Sequence, residues 1–277
     1  MAAAGRPIGL ALSGGAAHGL AHIPILEAFD ELGIRPTLIA GTSMGAIIGA
    51  AYAGGGDASD IAEYVAALRA DRRRLMARLW ASRPRTLHHL FGPYRATAGQ
   101  LDAEAILAAF AEPIPEDFAA LRIPLKVVVT DFYAGREVVL TSGALRKAVA
   151  ASMALPLLFR PVVIDGRGMV DGGVLNPLPF EHAAVEGGIL VAVDVVGTPP
   201  VRERPMPRRI EAIMGAIQLT MRQITVEKLK GPVRPDILVD PPIDAFRPLE
   251  FSRAAEIIAA GQPAKEDLKR QLDALLR

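Results

Sequence analysis

Residues 38–48 read LIAGTSMGAII, and this stretch decides how the rest of the chain is interpreted. A short apolar run leads into Gly-x-Ser-x-Gly, and small helix-forming residues follow it. This order is typical of a strand, a tight turn and a helix, with the serine at the apex of the turn. Gly41 and Gly45 leave room where the strand and the helix almost touch. We predict that Ser43 exposes its hydroxyl there, beside the backbone N–H of Met44 at the start of the helix.

The motif alone does not separate an activated serine from an ordinary glycine-rich turn. Activation requires a base beside the hydroxyl and N–H groups that stabilise an oxyanion. The interpretation of Ser43 therefore depends on whether the rest of the chain supplies both.

The composition bounds the class of protein. A chain of 277 residues is long enough for one large α/β domain or two small ones. With 51% hydrophobic and 22% charged residues it is globular, and a net charge of +1 argues against a general nucleic-acid binder. The absence of cysteine excludes disulfides, thiolate metal ligands and a cysteine nucleophile, and it agrees with a reducing compartment.

Neither the N-terminal residues nor the longest uncharged stretch indicates a membrane protein. Residues 1–7 are too polar for a signal peptide, and the longest uncharged stretch, 36–56, is rich in glycine and contains Thr, Ser and Tyr. We expect a soluble cytoplasmic protein with one domain over residues 1–277. The oligomeric state is not readable from the sequence.

A strand, a glycine loop and a helix precede the serine turn. Residues 8–12 are apolar, residues 13–19 read SGGAAHG, and a helical pattern then runs to Gly33. The first 45 residues therefore predict β-α-β, with the second strand ending at Ser43. The face of the helix predicted to be buried contains Ile23, Leu26, Phe29 and Leu32.

The glycine loop is predicted to bind an anion, because free backbone N–H groups point into such loops. One candidate is a dinucleotide pyrophosphate, but Ala16 stands at the middle glycine position, and residues 36–41 lack the expected acid. The other candidate is an oxyanion hole for an ester carbonyl. We favour the oxyanion hole, because parallel strands bring the loop and Ser43 to one edge of the sheet.

Residues 69–95 contain eight arginines and one acid, Asp71, interleaved with apolar residues. This mixture suits an interface with anionic lipid, so a lid or lipid-facing segment with peripheral contact to the inner membrane surface is one hypothesis. A solvated basic helix face over an ordinary apolar face is the alternative.

The remaining pattern predicts a three-layer α/β fold with a central, mostly parallel sheet. Strands are predicted at 125–131, 136–141, 161–164, 188–195 and 236–239, and helices at 57–79, 101–110, 143–153, 207–230 and from 253 onward.

Three motifs taken together resemble the patatin-like phospholipase family, and in particular its short bacterial single-domain members. They are SGGAAHG at 13–19, GTSMG at 41–45 and DGG at 171–173. Residues 151–156 and 159–162 also resemble the family's segment before the Asp-Gly-Gly turn.

The resemblance implies a hydrolase of lipid acyl esters with a Ser–Asp dyad and no metal or cofactor. Ser43 would be the nucleophile and Asp171 the base. The oxyanion N–H groups would come from Gly14, Gly15 and Ala16, with Met44 added by the serine turn. The chain departs from the family in having Ala16 for the usual third glycine and His18 for an Arg or Lys. Alanine keeps the N–H, whereas His18 loses a permanent charge.

Other interpretations of these residues stay open. Asp171 before two glycines is also a common turn residue, and it becomes a useful base only if burial raises its pKa. The order Ser43, Asp171, His182 would fit a Ser–acid–His triad. From a different class, the chain could be an anion-, nucleotide- or lipid-binding module with an idle serine. No His or acid cluster has metal-ligand spacing, so no metal is expected.

Overall fold

An eight-stranded sheet is the centre of the protein in the computed structural model, which describes residues 6–70, 101–199 and 206–277. Its strands are β1 (Ile8–Leu12), β2 (Leu38–Thr42), β3 (Leu125–Asp131), β4 (Arg136–Leu140), β5 (Val162–Ile164), β6 (Arg167–Asp171), β7 (Ile189–Val193) and β8 (Ile237–Val239). They are ordered β5-β6-β3-β2-β1-β7-β8, and β4 pairs with β3 off this path.

Five neighbouring strands, β3, β2, β1, β7 and β8, are parallel. β4 and β6 run antiparallel to β3, and β5 runs antiparallel to β6. β1 and β7 are buried along their whole length, as strands covered on both faces are. The predicted mixed α/β fold with a mostly parallel central sheet is confirmed.

The described helices flank this sheet. They are α1 (His22–Glu31), α2 (Met44–Ala53), α3 (Ala58–Ala70), α4 (Ala103–Ala108), α5 (Leu145–Ser152), α6 (Phe180–Ala183), α7 (Arg209–Lys228), α8 (Ala254–Ala260) and α9 (Gln262–Leu276). Short 3-10 helices cover Ala16–Ala21, Phe118–Ala120, Gly172–Val174 and Phe251–Arg253.

Alternate residues of β1 enter two different cores. Leu10 and Leu12 belong to the large core between the sheet and helices that include α1 and α2. Ala11 belongs to a small core on the other face, with Phe180 and Ala183 of α6. This alternation follows from the pleat of the strand, and it gives the predicted three layers.

The predicted elements agree with the structure except at their ends. The predicted helix 101–110 is only Ala103–Ala108, and Asp102 caps it by accepting the N–H of Ala105 at 3.1 Å. The C-terminal helical region is divided at Gly261, where a Cβ atom would lie 2.5 Å from the ring of Pro24.

The basic segment 69–95 lies outside the described residues from residue 71 onward, and so does the predicted end of the helix 57–79. Within the described ranges, every helix is too short or too polar to cross a bilayer.

Candidate active site

The turn between β2 and α2 holds Ser43 in a conformation that few side chains adopt, with φ 54° and ψ −119°. The two glycines of the motif are required by close approach. A Cβ at Gly41 would lie 2.7 Å from the carbonyl oxygen of Gly45, and a Cβ at Gly45 would lie 2.2 Å from that of Leu12. The chain therefore forms the predicted strand–turn–helix with the serine at its apex.

Asp171 contacts Ser43 directly. The hydroxyl of Ser43 donates a hydrogen bond of 2.7 Å to Oδ2 of Asp171, and the backbone N–H of Gly173 donates one of 2.7 Å to Oδ1. Asp171 is the last residue of β6 and only 4% exposed. Gly172 lets the turn approach β3, because a Cβ there would lie 2.3 Å from the carbonyl oxygen of Val128.

Burial changes the acidity of this carboxyl. It raises the pKa of Asp171 from 3.8 to about 6, although the hydrogen bonds from Gly173 and Ser43 act in the opposite direction. A carboxylate with this pKa is ionised at neutral pH and is still a better proton acceptor than an exposed aspartate. Burial therefore raises the pKa of Asp171, as a role as base requires.

Ser152 is hydrogen-bonded to the turn that contains Ser43. Its fully buried hydroxyl accepts the backbone N–H of Ser43 at 2.8 Å and donates to the carbonyl oxygen of Val128 at 2.7 Å. Residues 151–156 carry part of the family resemblance, but the sequence indicates no role for Ser152. A serine near the end of a small-residue helix carries no local signal of a partner more than 100 residues away.

The glycine loop lies beside Ser43, as predicted. A Cβ at Gly14 would lie 3.3 Å from the Cβ of Ser43. The N–H of Gly14 donates to the carbonyl oxygen of Pro177 at 3.0 Å, so it is already used within the protein. In the described part of the chain, the N–H groups of Gly15, Ala16 and Met44 have no hydrogen-bond acceptor.

Ala16 occupies the left-handed region with φ 50°. This conformation favours glycine, which explains why an alanine there is a departure that costs free energy without removing an N–H.

A cavity of about 150 Å³ opens at these groups, and Gly15, Ala16, Ser43, Met44 and Asp171 all line it. The rest of its wall is almost entirely apolar. That wall consists of Ile47, Met153, Leu155, Leu158, Phe159, Val196, Met214, Ile217, Gln218, Met221, Pro248, Leu249 and Phe251.

Helix α7 therefore places part of its apolar face at the candidate site. The sequence predicted this helix at 207–230 without placing its apolar face against a neighbour. Residues 248–251 supply a further part of the wall.

His18 and His22 lie within hydrogen-bond distance of backbone carbonyl oxygens, and within the described residues no hydrogen bond joins either ring to Ser43. The ring nitrogens of the buried His18 lie 3.0 Å from the carbonyl oxygen of Phe246 and 3.4 Å from that of Val196. Nε2 of His22 lies 2.9 Å from the carbonyl oxygen of Ser13, and burial lowers the pKa of His22 to about 4. His22 is therefore neutral at physiological pH.

His182 belongs to a separate polar cluster. Its Nε2 pairs with Glu137, and among the described residues no hydrogen bond joins it to Ser43 or Asp171. The order Ser43, Asp171, His182 in the sequence thus does not correspond to a hydrogen-bonded triad.

The same cluster brings together ligand types that sequence spacing did not reveal. Within the described ranges, Glu137, Glu181 and His182 are the one set of three side chains that could hold a metal ion. The ammonium of Lys228 already donates to Glu181 at 2.7 Å and also contacts Asn176. Because Lys228 already pairs with Glu181 and His182 with Glu137, we assign the cluster to the packing of α6 and not to a metal site.

Comparison with known proteins identifies the family. The patatin-like phospholipase family model matches residues 10–184. An uncharacterised NTE family protein of Mycobacterium tuberculosis (strain H37Rv) is 36% identical over 193 residues, which are 69% of this chain and 49% of the relative. Lysophospholipase NTE1 of Pyricularia oryzae is 29% identical over 281 residues, which cover 93% of this chain and 18% of that protein. The chain spans less than half the length of either relative.

Among solved structures, VipD from Legionella pneumophila has a similar fold, with a TM-score of 0.51 and 15% identity over 96% of this chain and 67% of VipD. The family model covers well over half of the chain and includes the glycine loop, the serine turn and the Asp-Gly-Gly turn. The chain therefore belongs to the patatin-like phospholipase family.

Proposed function

We propose that the protein hydrolyses carboxylic esters of lipids, with Ser43 as nucleophile and Asp171 as base. The observation that carries this proposal is the 2.7 Å hydrogen bond from the Ser43 hydroxyl to the buried Asp171 carboxylate at the edge of an apolar cavity. The membership of the family and the lysophospholipase name of a relative support lipid as the substrate.

In the first half-reaction, Oγ of Ser43 attacks the ester carbonyl carbon while its proton passes to Oδ2 of Asp171. The negative charge that develops on the carbonyl oxygen requires preorganised donors. The N–H groups of Gly15, Ala16 and Met44 are proposed for this role because they line the cavity and have no acceptor in the described chain. Collapse of the tetrahedral species expels the alcohol, which takes the proton from Asp171, and leaves an acyl-enzyme.

In the second half-reaction, Asp171 accepts a proton from a water molecule that attacks the acyl-enzyme. Ser43 leaves and recovers its proton, and the fatty acid is released. No residue other than the dyad is needed to move a proton in either half-reaction.

Gly14 takes a different role in this proposal from the one predicted from the sequence. Its N–H donates to Pro177, so Gly14 ties the loop to the segment after the Asp-Gly-Gly turn. We propose that this tie keeps the neighbouring N–H groups of Gly15 and Ala16 in place beside Ser43.

Two further predictions from the sequence are part of this proposal. The basic segment 69–95 is proposed to contact anionic lipid surfaces, and the protein is proposed to act in the cytoplasm at such a surface. Binding of wild-type protein and of an Arg72→Glu, Arg73→Glu, Arg74→Glu variant to anionic vesicles tests the contact. Equal binding by both proteins would reject it.

The proposed chemistry is tested by labelling the folded protein with a fluorophosphonate and locating the adduct by mass spectrometry. We expect one adduct on Ser43 and none in Ser43→Ala. Wild type and Ser43→Ala are then compared on lysophosphatidylcholine, phosphatidylcholine, a triacylglycerol and an acyl thioester. Absence of both labelling and turnover would favour the binding module with an idle serine.

A further inference from the structure

A second cavity of about 410 Å³ lies between helices α2, α3 and α4. The residues that line it include Ala51 of α2, Ile61 and Val65 of α3, and Ile106 of α4. None of these four residues lines the cavity at Ser43. The second cavity is therefore a separate volume that the proposed chemistry does not use.

The two cavities share a wall. Met44, Ile47, Met153, Phe159 and Phe251 line both of them. Met44 follows the nucleophile directly, and Ile47 is one helical turn further along α2. The wall contains two methionines, whose unbranched side chains rearrange at low cost. A chain that begins at Ser43 can therefore continue into the second cavity once this wall adjusts.

The chemistry of the second cavity defines what can fill it. Among the described residues that line it, Tyr64 carries the single polar side-chain atom, and none is charged. Apolar cavities do not hold ordered water, because water there finds too few hydrogen-bond partners. The volume of about 410 Å³ is within the usual range of ligand sites, whereas the cavity at Ser43 is about 150 Å³ and is too small for a long alkyl chain.

We infer that the second cavity receives the distal part of the substrate's acyl chain, so that the enzyme selects long-chain over short-chain acyl esters. This inference rests on the proposed function, because it assigns the fatty acyl group to Ser43. It adds that specificity for chain length is set by α3 and α4, away from the reacting atoms.

Val65 offers a test with a matched control on the same helix. Val65→Trp puts a large side chain into the second cavity, whereas Ala66→Trp adds the same side chain at the next, exposed position, which does not line the cavity. Each variant is measured on p-nitrophenyl butyrate and p-nitrophenyl palmitate. We expect Val65→Trp to lower the palmitate-to-butyrate ratio of kcat/KM by about tenfold or more. Ala66→Trp should leave the ratio within about twofold of wild type.

Two further substitutions keep the test informative if Val65→Trp does not fold. Val65→Ala enlarges the same cavity and is expected to keep the wild-type preference for palmitate or increase it. Ile106→Phe blocks the cavity from α4 and is expected to repeat the effect of Val65→Trp. An unchanged ratio in both folded blocking variants would overturn the inference.

A binding measurement separates this inference from the proposed function. The intrinsic fluorescence of cis-parinaric acid, a fatty acid, reports its binding to Ser43→Ala without turnover. We expect Val65→Trp in the Ser43→Ala background to weaken binding by about tenfold, and Ala66→Trp to have no such effect. Equal binding by all three proteins would reject the acyl cavity even if the wild type hydrolyses esters. Weakened binding beside an inactive wild type would reject the hydrolase and keep the cavity.

Discussion

The hydroxyl of Ser152 accepts the backbone N–H of Ser43 at 2.8 Å and donates its own proton to Val128 at 2.7 Å. Ser43 has a backbone conformation with φ 54°, which persists only where surrounding contacts hold it. The Ser152 hydroxyl is one such contact, and it joins the turn of Ser43 to β3.

Ser152→Ala is therefore expected to impair the nucleophile without touching the substrate. The substitution leaves the N–H of Ser43 and the carbonyl oxygen of Val128 without this partner, which costs about 1–3 kcal/mol. We expect kcat to fall by about tenfold or more, with a smaller change in KM. Ser142→Ala, at an exposed serine, is the control and should match the wild type. Equal kcat for Ser152→Ala and wild type would show that the contact is not needed.

Asp171→Asn is expected to remove ester hydrolysis, because an amide cannot accept the proton of Ser43. Loss of a general base lowers kcat by about 10²–10⁴-fold. His182→Ala is the comparison, since His182 pairs with Glu137 and not with the dyad. We expect His182→Ala to keep most of the activity. A loss in His182→Ala as large as that in Ser43→Ala would contradict a dyad mechanism.

The pH profile of kcat/KM should follow ionisation of Asp171. The carboxylate is the form that accepts a proton, so activity is expected to be low below its pKa of about 6 and to reach a plateau above it. Profiles are measured with a substrate that does not itself titrate. A profile that is flat from pH 5 to pH 8 would show that another group is the base.

The free energy of unfolding should also depend on the ionisation of Asp171. It is expected to fall as pH rises, whereas activity is expected to rise. The pKa of Asp171 is raised on folding, so the folded protein binds a proton more tightly than the unfolded chain and loses stability as pH rises from 3.8 to about 6. The difference corresponds to about 3 kcal/mol at neutral pH. Asp171→Asn is thus expected to have a higher Tm than wild type at pH 8, and the gap should shrink at pH 4. A lower Tm for Asp171→Asn at pH 8 would refute the cost assigned to the buried charge.

Ala16→Gly is expected to stabilise the protein and to keep its activity. Ala16 has φ 50°, a conformation that costs a residue with a Cβ about 1–2 kcal/mol relative to glycine. The N–H proposed for the oxyanion hole is retained. Urea unfolding measures the change, and Ala17→Gly, at a fully buried neighbour whose φ is not positive, should instead be destabilising. If Ala16→Gly proves as destabilising as Ala17→Gly, the strain at Ala16 is not real.

Local sterics explain why the serine turn was predictable and its partners were not. Only glycine fits at positions 41 and 45, because a Cβ there would collide with backbone atoms of the turn or of the adjacent strand. The spacing of the motif therefore indicates the turn. Asp171 lies 128 residues from Ser43, so its pairing was implied by the resemblance and not by any periodicity. Before the resemblance, a turn aspartate was the simpler interpretation.

The hydrogen bond of the Gly14 N–H shows a second limit of prediction from the sequence. The sequence shows that the glycine loop has free N–H groups, but it does not show which of them the protein itself uses. Pro177 takes the N–H of Gly14 because the segment after the Asp-Gly-Gly turn packs against the loop. Ser152 was missed for the same reason, since its two partners are brought to it by the sheet.

The wall that α7 and residues 248–251 contribute lies beyond residue 184, where the match to the family ends. The proposed reacting groups all lie before that residue. Two hydrogen bonds connect the glycine-loop region to the chain beyond residue 184. The N–H of Ala17 donates to the carbonyl oxygen of Pro248, and Nε2 of His18 lies 3.0 Å from the carbonyl oxygen of Phe246. The cavity at Ser43 is thus built in part by residues outside the family match, whereas the proposed reacting groups lie inside it. We therefore expect substitutions in α7 and at residues 248–251 to change which lipids fit beside Ser43 while leaving the proposed dyad in place.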